Sequence, residues 1–161
     1  MSKIKKLLRD KESILVFDVD GVLAILEFGE RNHYYASDEE WDKAVESGMN
    51  YYTEDKVSKK MQVFLRDRDK SKIYVITAIG VNKEGEYKKQ YLRKFYGIPE
   101  ENVYFVDKNR DKTKELIKIR EMHKDIPDEK IIMIDDTPEI LCDIQDNTNY
   151  STAHISSFLD I

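Results

Sequence analysis

Acidic and hydroxyl side chains follow three of the short apolar runs in this sequence, at the points where the runs end. The residues concerned are Asp18, Asp20, Thr77, Asp135 and Asp136. Asp and Thr commonly cap helices or open turns after strands, so each position taken alone has an ordinary structural explanation. Carboxylates that converge on one site, however, repel one another unless a cation lies among them. If the runs are strands that end at one rim, the set indicates a site for a hard divalent metal ion.

The apolar runs have the length and the pattern of strands that are buried on both faces. Four of them lack polar alternation, and a weaker fifth candidate lies near the carboxyl terminus. The runs are ILVF (14–17), IYVI (73–76), VYFV (103–106), IIMI (131–134) and AHIS (153–156). We therefore expect these segments to form the strands of one sheet.

Helical periodicity separates the runs, because apolar residues recur there at spacings of three and four. The predicted faces are Val57, Met61, Phe64 and Leu65, then Tyr87, Tyr91, Leu92 and Phe95, then Leu116, Ile119 and Met122. Strands that alternate with helices predict parallel pairing and a three-layer α/β/α sandwich. Ligands of such sheets bind at the carboxyl ends of the strands, where the acidic residues lie.

Length and composition predict one domain spanning residues 1–161, with 40% hydrophobic and 37% charged residues. The net charge of −5 provides no general attraction to polyanions, although a nucleic-acid substrate is not excluded. The single cysteine, Cys142, cannot form an internal disulfide and is expected to be a small buried side chain. No apolar stretch approaches the roughly 20 residues of a membrane span, and the start lacks a secretory pattern. These features predict a cytoplasmic protein without a membrane partner and leave the oligomeric state open.

The sequence DVDGVL (18–23) resembles the first motif of the haloacid dehalogenase (HAD) superfamily of phosphohydrolases, D-x-D-G after an apolar strand. VIT (75–77) is similar to the second motif and IMIDDTPE (132–139) to the acidic fourth motif. The resemblance covers residue 14 to about residue 145. It implies a Rossmann-like central sheet, phosphohydrolase activity and a small or absent cap.

The third motif of this family is a lysine near the start of the helix before the fourth strand. Lys112 is the best match, since residues 112–136 follow the lysine, helix, strand and acid layout of the family. Lys108 and Lys114 are alternatives. The resemblance implies that this lysine neutralises the nucleophile and the phosphoryl oxygens.

The spacing of the first acidic pair suits phosphoryl transfer. A carboxylate can attack phosphorus to give an acyl phosphate that water then hydrolyses, and Asp18 is the candidate nucleophile. Asp20 is placed to protonate the leaving oxygen and later to activate water. Gly21 lets the backbone enter a tight turn beside the substrate. The dehalogenase branch of the family displaces halide, a leaving group that needs no such acid. Asp20 therefore favours a phosphate ester over a carbon–halogen compound as the substrate.

Phosphate would be repelled by these acids unless a cation offset the charge, so we expect a Mg²⁺ cofactor. Its expected ligands are Asp18, the carbonyl of Asp20, and Asp135, with Asp136 adjoining. The Thr77 hydroxyl and nearby backbone N–H groups are expected to bind the phosphoryl oxygens.

Substrate choice is expected to depend on a small flap or cap insert at about residues 24–56. Ser37 and Glu40 predict a capping box for a short helix that ends at Gly48. The aromatic rings of the insert either stack on a flat substrate or pack the short helix onto the core. Trp41 is expected to be the packing anchor.

Four further residues are assigned to substrate contact: Gly21, Ala78, Tyr34 and Tyr35. His33 is interpreted as a surface or packing residue. KKQYLRK (88–94) is either a basic rim for an anionic substrate or, as we favour, a solvated helix face.

The sequence thus predicts a Mg²⁺-dependent phosphatase that acts on a small phosphorylated molecule, nucleotides being among the candidates. A phosphoprotein or a nucleic-acid end is also compatible with an open site. The alternatives are a HAD-fold binding or regulatory module without turnover and a phosphotransferase on the same core. A pure binder has no need of a general acid, so Asp20 argues against the first alternative.

Overall fold

Five parallel strands form one sheet in the computed structural model, which describes residues 1–25, 37–107 and 111–159. The strands are β1 (Ile14–Phe17), β2 (Ile73–Ala78), β3 (Val103–Val106), β4 (Ile131–Asp135) and β5 (Ser151–His154). Their order in the sheet is β3-β2-β1-β4-β5, with every neighbouring pair parallel. The predicted Rossmann-like α/β fold is confirmed.

Six α-helices lie in the described residues. They are α1 (Lys3–Arg9), α2 (Asp38–Glu46), α3 (Lys59–Arg66), α4 (Asn82–Tyr96), α5 (Lys112–Met122) and α6 (Pro138–Asn147). The sequence patterns had indicated α2 to α5 but neither α1 nor α6. No helix in the described part of the chain is long and apolar enough to cross a membrane.

Alternation along the central strand divides the core into two layers. Leu15 and Phe17 belong to one apolar cluster with residues of α3 and α4. Ile14 and Val16 belong to a second cluster with residues of α5 and α6. Successive side chains of a strand point to opposite faces, so a strand with apolar residues at every position must be covered on both sides. The result is the predicted three-layer α/β/α sandwich.

The order of the strands creates a crevice beside β1. The chain lays β2 and β3 on one side of β1 and then crosses to place β4 and β5 on the other. Ligand sites of parallel sheets lie at the carboxyl ends of the strands, where the strand order reverses. Phe17 pairs with Ile134 in register, so the residues that follow them leave the sheet side by side at this point.

Three local predictions are wrong in detail. Met122, the last residue of α5, is 54% exposed rather than part of the buried face, and Ile126 packs against that core cluster instead. Cys142 is exposed, because α6 turns Ile140, Leu141 and Ile144 inward and Cys142 lies on another face. The fifth strand begins at Ser151, two residues before the predicted start.

The insert contains the capped helix that the sequence predicts. Ser37 Oγ accepts a hydrogen bond from the Glu40 backbone N–H at 3.3 Å, and Glu40 Oε2 accepts one from the Ser37 backbone N–H at 3.0 Å. The chain turns at Gly48, whose φ of 107° is in the left-handed region that favours glycine. Trp41 stacks on Tyr51 with ring centroids 3.9 Å apart and packs against the core, as expected of an anchor.

Candidate active site

Lys112 joins two carboxylates that leave neighbouring strands. Its Nζ lies 3.0 Å from Asp18 Oδ2 and 2.8 Å from Asp135 Oδ2. All three residues are buried. Phe17 and Ile134 point toward α3 and α4, so strand alternation turns the residues after them toward α5, which begins at Lys112. Sheet register and helix position therefore bring the three groups together.

Burial raises the pKa of Asp18 to about 6, and the nearby charges of Asp135 and Asp20 act in the same direction. Lys112 opposes this rise. Burial also disfavours the charged form of Lys112, but the carboxylates of Asp18 and Asp135 outweigh it and raise the lysine pKa. At neutral pH the arrangement is an ionised Asp18 held by a protonated lysine.

Three carboxylates form the acidic cluster of this site. Asp18, Asp135 and Asp136 each offer an oxygen, and these oxygens lie within 4.8 Å of one another. Asp18 and Asp135 are buried, whereas Asp136 is exposed at the edge of the crevice. Partial desolvation at this edge and the charge of Asp135 raise the pKa of Asp136. A set of hard oxygen donors with one open side fits Mg²⁺.

Gly21 lies against this cluster. Its φ is +73°, and a Cβ placed there would lie 2.1 Å from Asp136 Oδ2. Both the backbone conformation and the close carboxylate exclude a side chain. The expected tight turn is present, and the side chain nearest to Gly21 is that of Asp136, the residue after β4.

A second buried lysine, Lys88 of α4, was missed as a site residue by the sequence analysis. Its Nζ lies 2.8 Å from Asp20 Oδ2 and donates a hydrogen bond to Thr77 Oγ1 at 3.0 Å. It also donates to the Ala78 carbonyl at 2.6 Å and lies 3.0 Å from Glu84 Oε1. Lys88 is fully buried, so the prediction of a solvated helix face is wrong for this residue.

The helical period did carry a signal for Lys88. Tyr91 and Leu92 are three and four residues further along, and both are buried. Glu84, four residues before Lys88, is also buried. Residues at these spacings share a helix face, so Lys88 and Glu84 form a charged pair on the buried side of α4.

Tyr52, from the carboxyl end of the predicted insert, completes the group around Asp20. Its hydroxyl lies 3.1 Å from Asp20 Oδ1 and 2.9 Å from Glu84 Oε1. Burial raises the pKa of Tyr52 well above its ordinary value, and the charges of Asp20 and Glu84 add to the effect. The hydroxyl therefore stays protonated and acts as a donor. We call Asp20, Tyr52, Thr77, Glu84 and Lys88 the Lys88 cluster.

The alternatives for the third-motif lysine differ in position. Lys114 has a 76% exposed side chain and pairs with Asp111 Oδ1 at 3.0 Å, away from the acidic cluster. The geometry favours Lys112 over Lys114. Lys108 lies outside the described residues, as do His33, Tyr34 and Tyr35 of the insert.

The fold and site define a parallel α/β protein with an acidic crevice where the strand order reverses. A scan against protein-family models finds no match, and a search of curated proteins finds none either. The functional argument therefore depends on the geometry of the crevice and on the motifs within it.

Proposed function

We propose that this protein is a Mg²⁺-dependent phosphatase of the HAD type that hydrolyses a phosphomonoester through an aspartyl-phosphate intermediate. The observation that carries the proposal is the buried contact of Lys112 with both Asp18 and Asp135, with Asp20 two residues after Asp18. This contact lies at the carboxyl ends of two adjacent parallel strands.

Asp18 is the proposed nucleophile. Its pKa of about 6 leaves it ionised at neutral pH, and Lys112 Nζ lies 3.0 Å from Asp18 Oδ2. Oδ1 accepts a hydrogen bond from the Val19 backbone N–H at 2.8 Å, which holds the carboxylate in one orientation. In the first step a carboxylate oxygen forms a bond to phosphorus, while the bond from phosphorus to the ester oxygen breaks.

Asp20 is the proposed proton carrier. It gives a proton to the departing ester oxygen and then, as a carboxylate, takes a proton from the water that attacks the aspartyl phosphate. The second step releases inorganic phosphate and restores Asp18. The side chain of Asp20 is 33% exposed, so substrate and water can reach it.

The acidic cluster would hold Mg²⁺ through Asp18, Asp135 and Asp136, and the family resemblance adds the carbonyl of Asp20. When bound, the ion supplies positive charge that offsets the repulsion between the phosphate and these carboxylates. The Thr77 hydroxyl is fully buried and accepts a hydrogen bond from Lys88, so its assignment to the phosphoryl oxygens requires its one O–H hydrogen to be donated to them.

A panel of phosphomonoesters tests the proposal, with purified protein assayed in Mg²⁺ and in EDTA. The panel spans an aryl phosphate, nucleotides, a sugar phosphate, a phosphopeptide and a 3′- or 5′-phosphorylated oligonucleotide. We expect hydrolysis of the aryl phosphate that requires Mg²⁺ and disappears in Asp18→Asn, because an amide is a poor nucleophile. Full activity of that variant would refute the covalent mechanism, and transfer to an added alcohol instead of water would identify a phosphotransferase.

A further inference from the structure

We propose that Lys88 is a positioning residue that, with Glu84 and Tyr52, holds the Asp20 carboxylate in the orientation from which it moves protons. This inference rests on the proposed function, because it assigns Asp20 to proton transfer. It concerns residues outside the acidic cluster, on the opposite face of the sheet from Lys112.

Lys88 is fixed by its surroundings. Four acceptor oxygens lie within 3.0 Å of its Nζ, and they belong to Asp20, Thr77, Ala78 and Glu84. An ammonium group has only three N–H donors, so none remains for a further ligand. A fully buried cation is tolerated only when such partners surround it. These contacts favour a supporting role over direct binding of a phosphate.

Glu84 in turn holds Lys88. Its Oε1 lies 3.0 Å from Lys88 Nζ and accepts from the Tyr52 hydroxyl, while Oε2 accepts from the Gly80 backbone N–H at 3.1 Å. Both oxygens of this buried carboxylate are therefore occupied by donors from three different segments of the chain. Glu84 is therefore placed to fix the position of Lys88, and neither of its oxygens is left to bind a ligand in the crevice.

Both oxygens of Asp20 face polar groups on their buried side. Lys88 Nζ lies 2.8 Å from Oδ2, and the Tyr52 hydroxyl, whose single hydrogen is shared between Glu84 and Asp20, lies 3.1 Å from Oδ1. A carboxylate that is one-third exposed would otherwise be free to change rotamer. Because Lys88 and Tyr52 occupy the buried side of the two oxygens, a proton carried by Asp20 must occupy a lone pair on the exposed side. The Lys88 cluster thereby directs proton transfer toward the crevice.

The two lysines thus serve different carboxylates. Lys112 comes from α5 and contacts Asp18 and Asp135, whereas Lys88 comes from α4 and contacts Asp20 and Glu84. If Lys88 acts through Asp20, its removal must alter the proton-transfer step and leave the nucleophile in place. A direct effect on the phosphoryl group would instead be independent of Asp20.

A double-mutant cycle in single-turnover phosphorylation separates these outcomes, with Lys88→Met, Asp20→Asn and the double variant in saturating Mg²⁺. For an alkyl phosphate we expect Lys88→Met to lose about 10²-fold, the low end of the range for a general acid. For a nitrophenyl phosphate, whose leaving group needs little protonation, we expect a much smaller loss. In the Asp20→Asn background, Lys88→Met should cause no further loss.

Lys94→Met is the matched control, because Lys94 is an exposed lysine on the same helix, and we expect it to retain wild-type rates. Equal losses for the two leaving groups, or an undiminished loss in the Asp20→Asn background, would overturn the positioning role. If Lys88→Met fails to fold, the Glu84→Gln and Lys88→Met double variant removes the second buried charge and takes its place in the cycle.

A second readout needs no turnover. Melting temperatures of the metal-free wild type, Lys88→Met, Asp20→Asn and the double variant should show losses that are clearly less than additive, because the two residues share one contact. Additive losses would refute the contact between Lys88 and Asp20, whether or not the protein hydrolyses phosphate esters. A wild type that hydrolyses no phosphate, together with coupled melting temperatures, would instead refute the proposed function and remove Asp20 from proton transfer.

Discussion

Asp18 and Asp135 leave adjacent parallel strands at the same level of the sheet, and Lys112 lies within 3.0 Å of both carboxylates. Two buried acids at this distance from one ammonium form a single electrostatic unit. Removing the shared cation leaves two carboxylates of like charge facing each other in a buried environment.

Lys112→Met should therefore lower both stability and catalysis. Removing one partner of a buried ion pair costs about 3–5 kcal/mol of unfolding free energy, because the remaining charge is left uncompensated. Denaturant unfolding in EDTA measures this loss, and single-turnover assays measure the rate. Lys114→Met is the control, since that side chain is 76% exposed. Similar effects of the two variants would contradict the choice of Lys112.

Asp20→Asn should slow substrates according to their leaving groups. We expect a loss of about 10²–10⁴-fold for alkyl phosphates, the usual contribution of a general acid or base, and a smaller loss for activated aryl phosphates. Rapid-quench measurement of the phosphorylation step across a series of leaving groups gives this dependence. A uniform loss across the series would remove Asp20 from the acid role.

Asp135→Asn should weaken Mg²⁺ binding more than it weakens folding. Asp135→Asn removes a ligand charge that the ion needs, whereas in the metal-free protein it relieves repulsion between the carboxylates and leaves Lys112 paired with Asp18. Titration calorimetry with Mg²⁺ measures the affinity, and Asp146→Asn on an exposed surface of α6 serves as the control. Unchanged affinity in Asp135→Asn would show that the fourth-motif assignment is wrong.

The pKa of Asp18 predicts how the stability of the metal-free protein depends on pH. This pKa is raised from 3.8 to about 6, so the folded protein binds the proton more tightly than the unfolded chain. The stabilising contribution of protonated Asp18 is present below pH 3.8 and is lost as the pH rises to about 6. Asp18→Asn should lack this loss. Parallel profiles of unfolding free energy for wild type and variant between pH 4 and 7 would contradict the expectation.

Trp41→Ala should destabilise the protein. The ring stacks on Tyr51 and packs against the core cluster, and it is the largest apolar side chain of α2. We expect a loss of about 3 kcal/mol in unfolding free energy, the lower end for truncating a buried Phe or Trp, because Trp41 is only half-buried. Unchanged stability with a raised KM would instead indicate that the ring contacts substrate.

The strands and the positions of their terminal acids could be predicted from the sequence because the relevant signals are local. ILVF (14–17) and VYFV (103–106) match their strands residue for residue. An uninterrupted apolar run indicates a strand that is buried on both faces, and the next polar residue indicates where that strand ends. The capping box at Ser37 and Glu40 was predictable for the same reason, since both groups lie within one helical turn.

The partners of those acids were decided by the tertiary structure. Lys88 is 68 residues from Asp20 in the chain, and the two meet because α4 covers the same face of the sheet toward which Thr77 points. Tyr52 reaches Asp20 from a different segment. The helical period places Lys88 on the buried face of α4 with Glu84, but nothing near Lys88 in the sequence identifies Asp20 as its second partner. Only the order of the strands and the packing of each helix determine which distant acid meets the buried lysine, because a buried charge is stable only where the fold supplies its counter-charge.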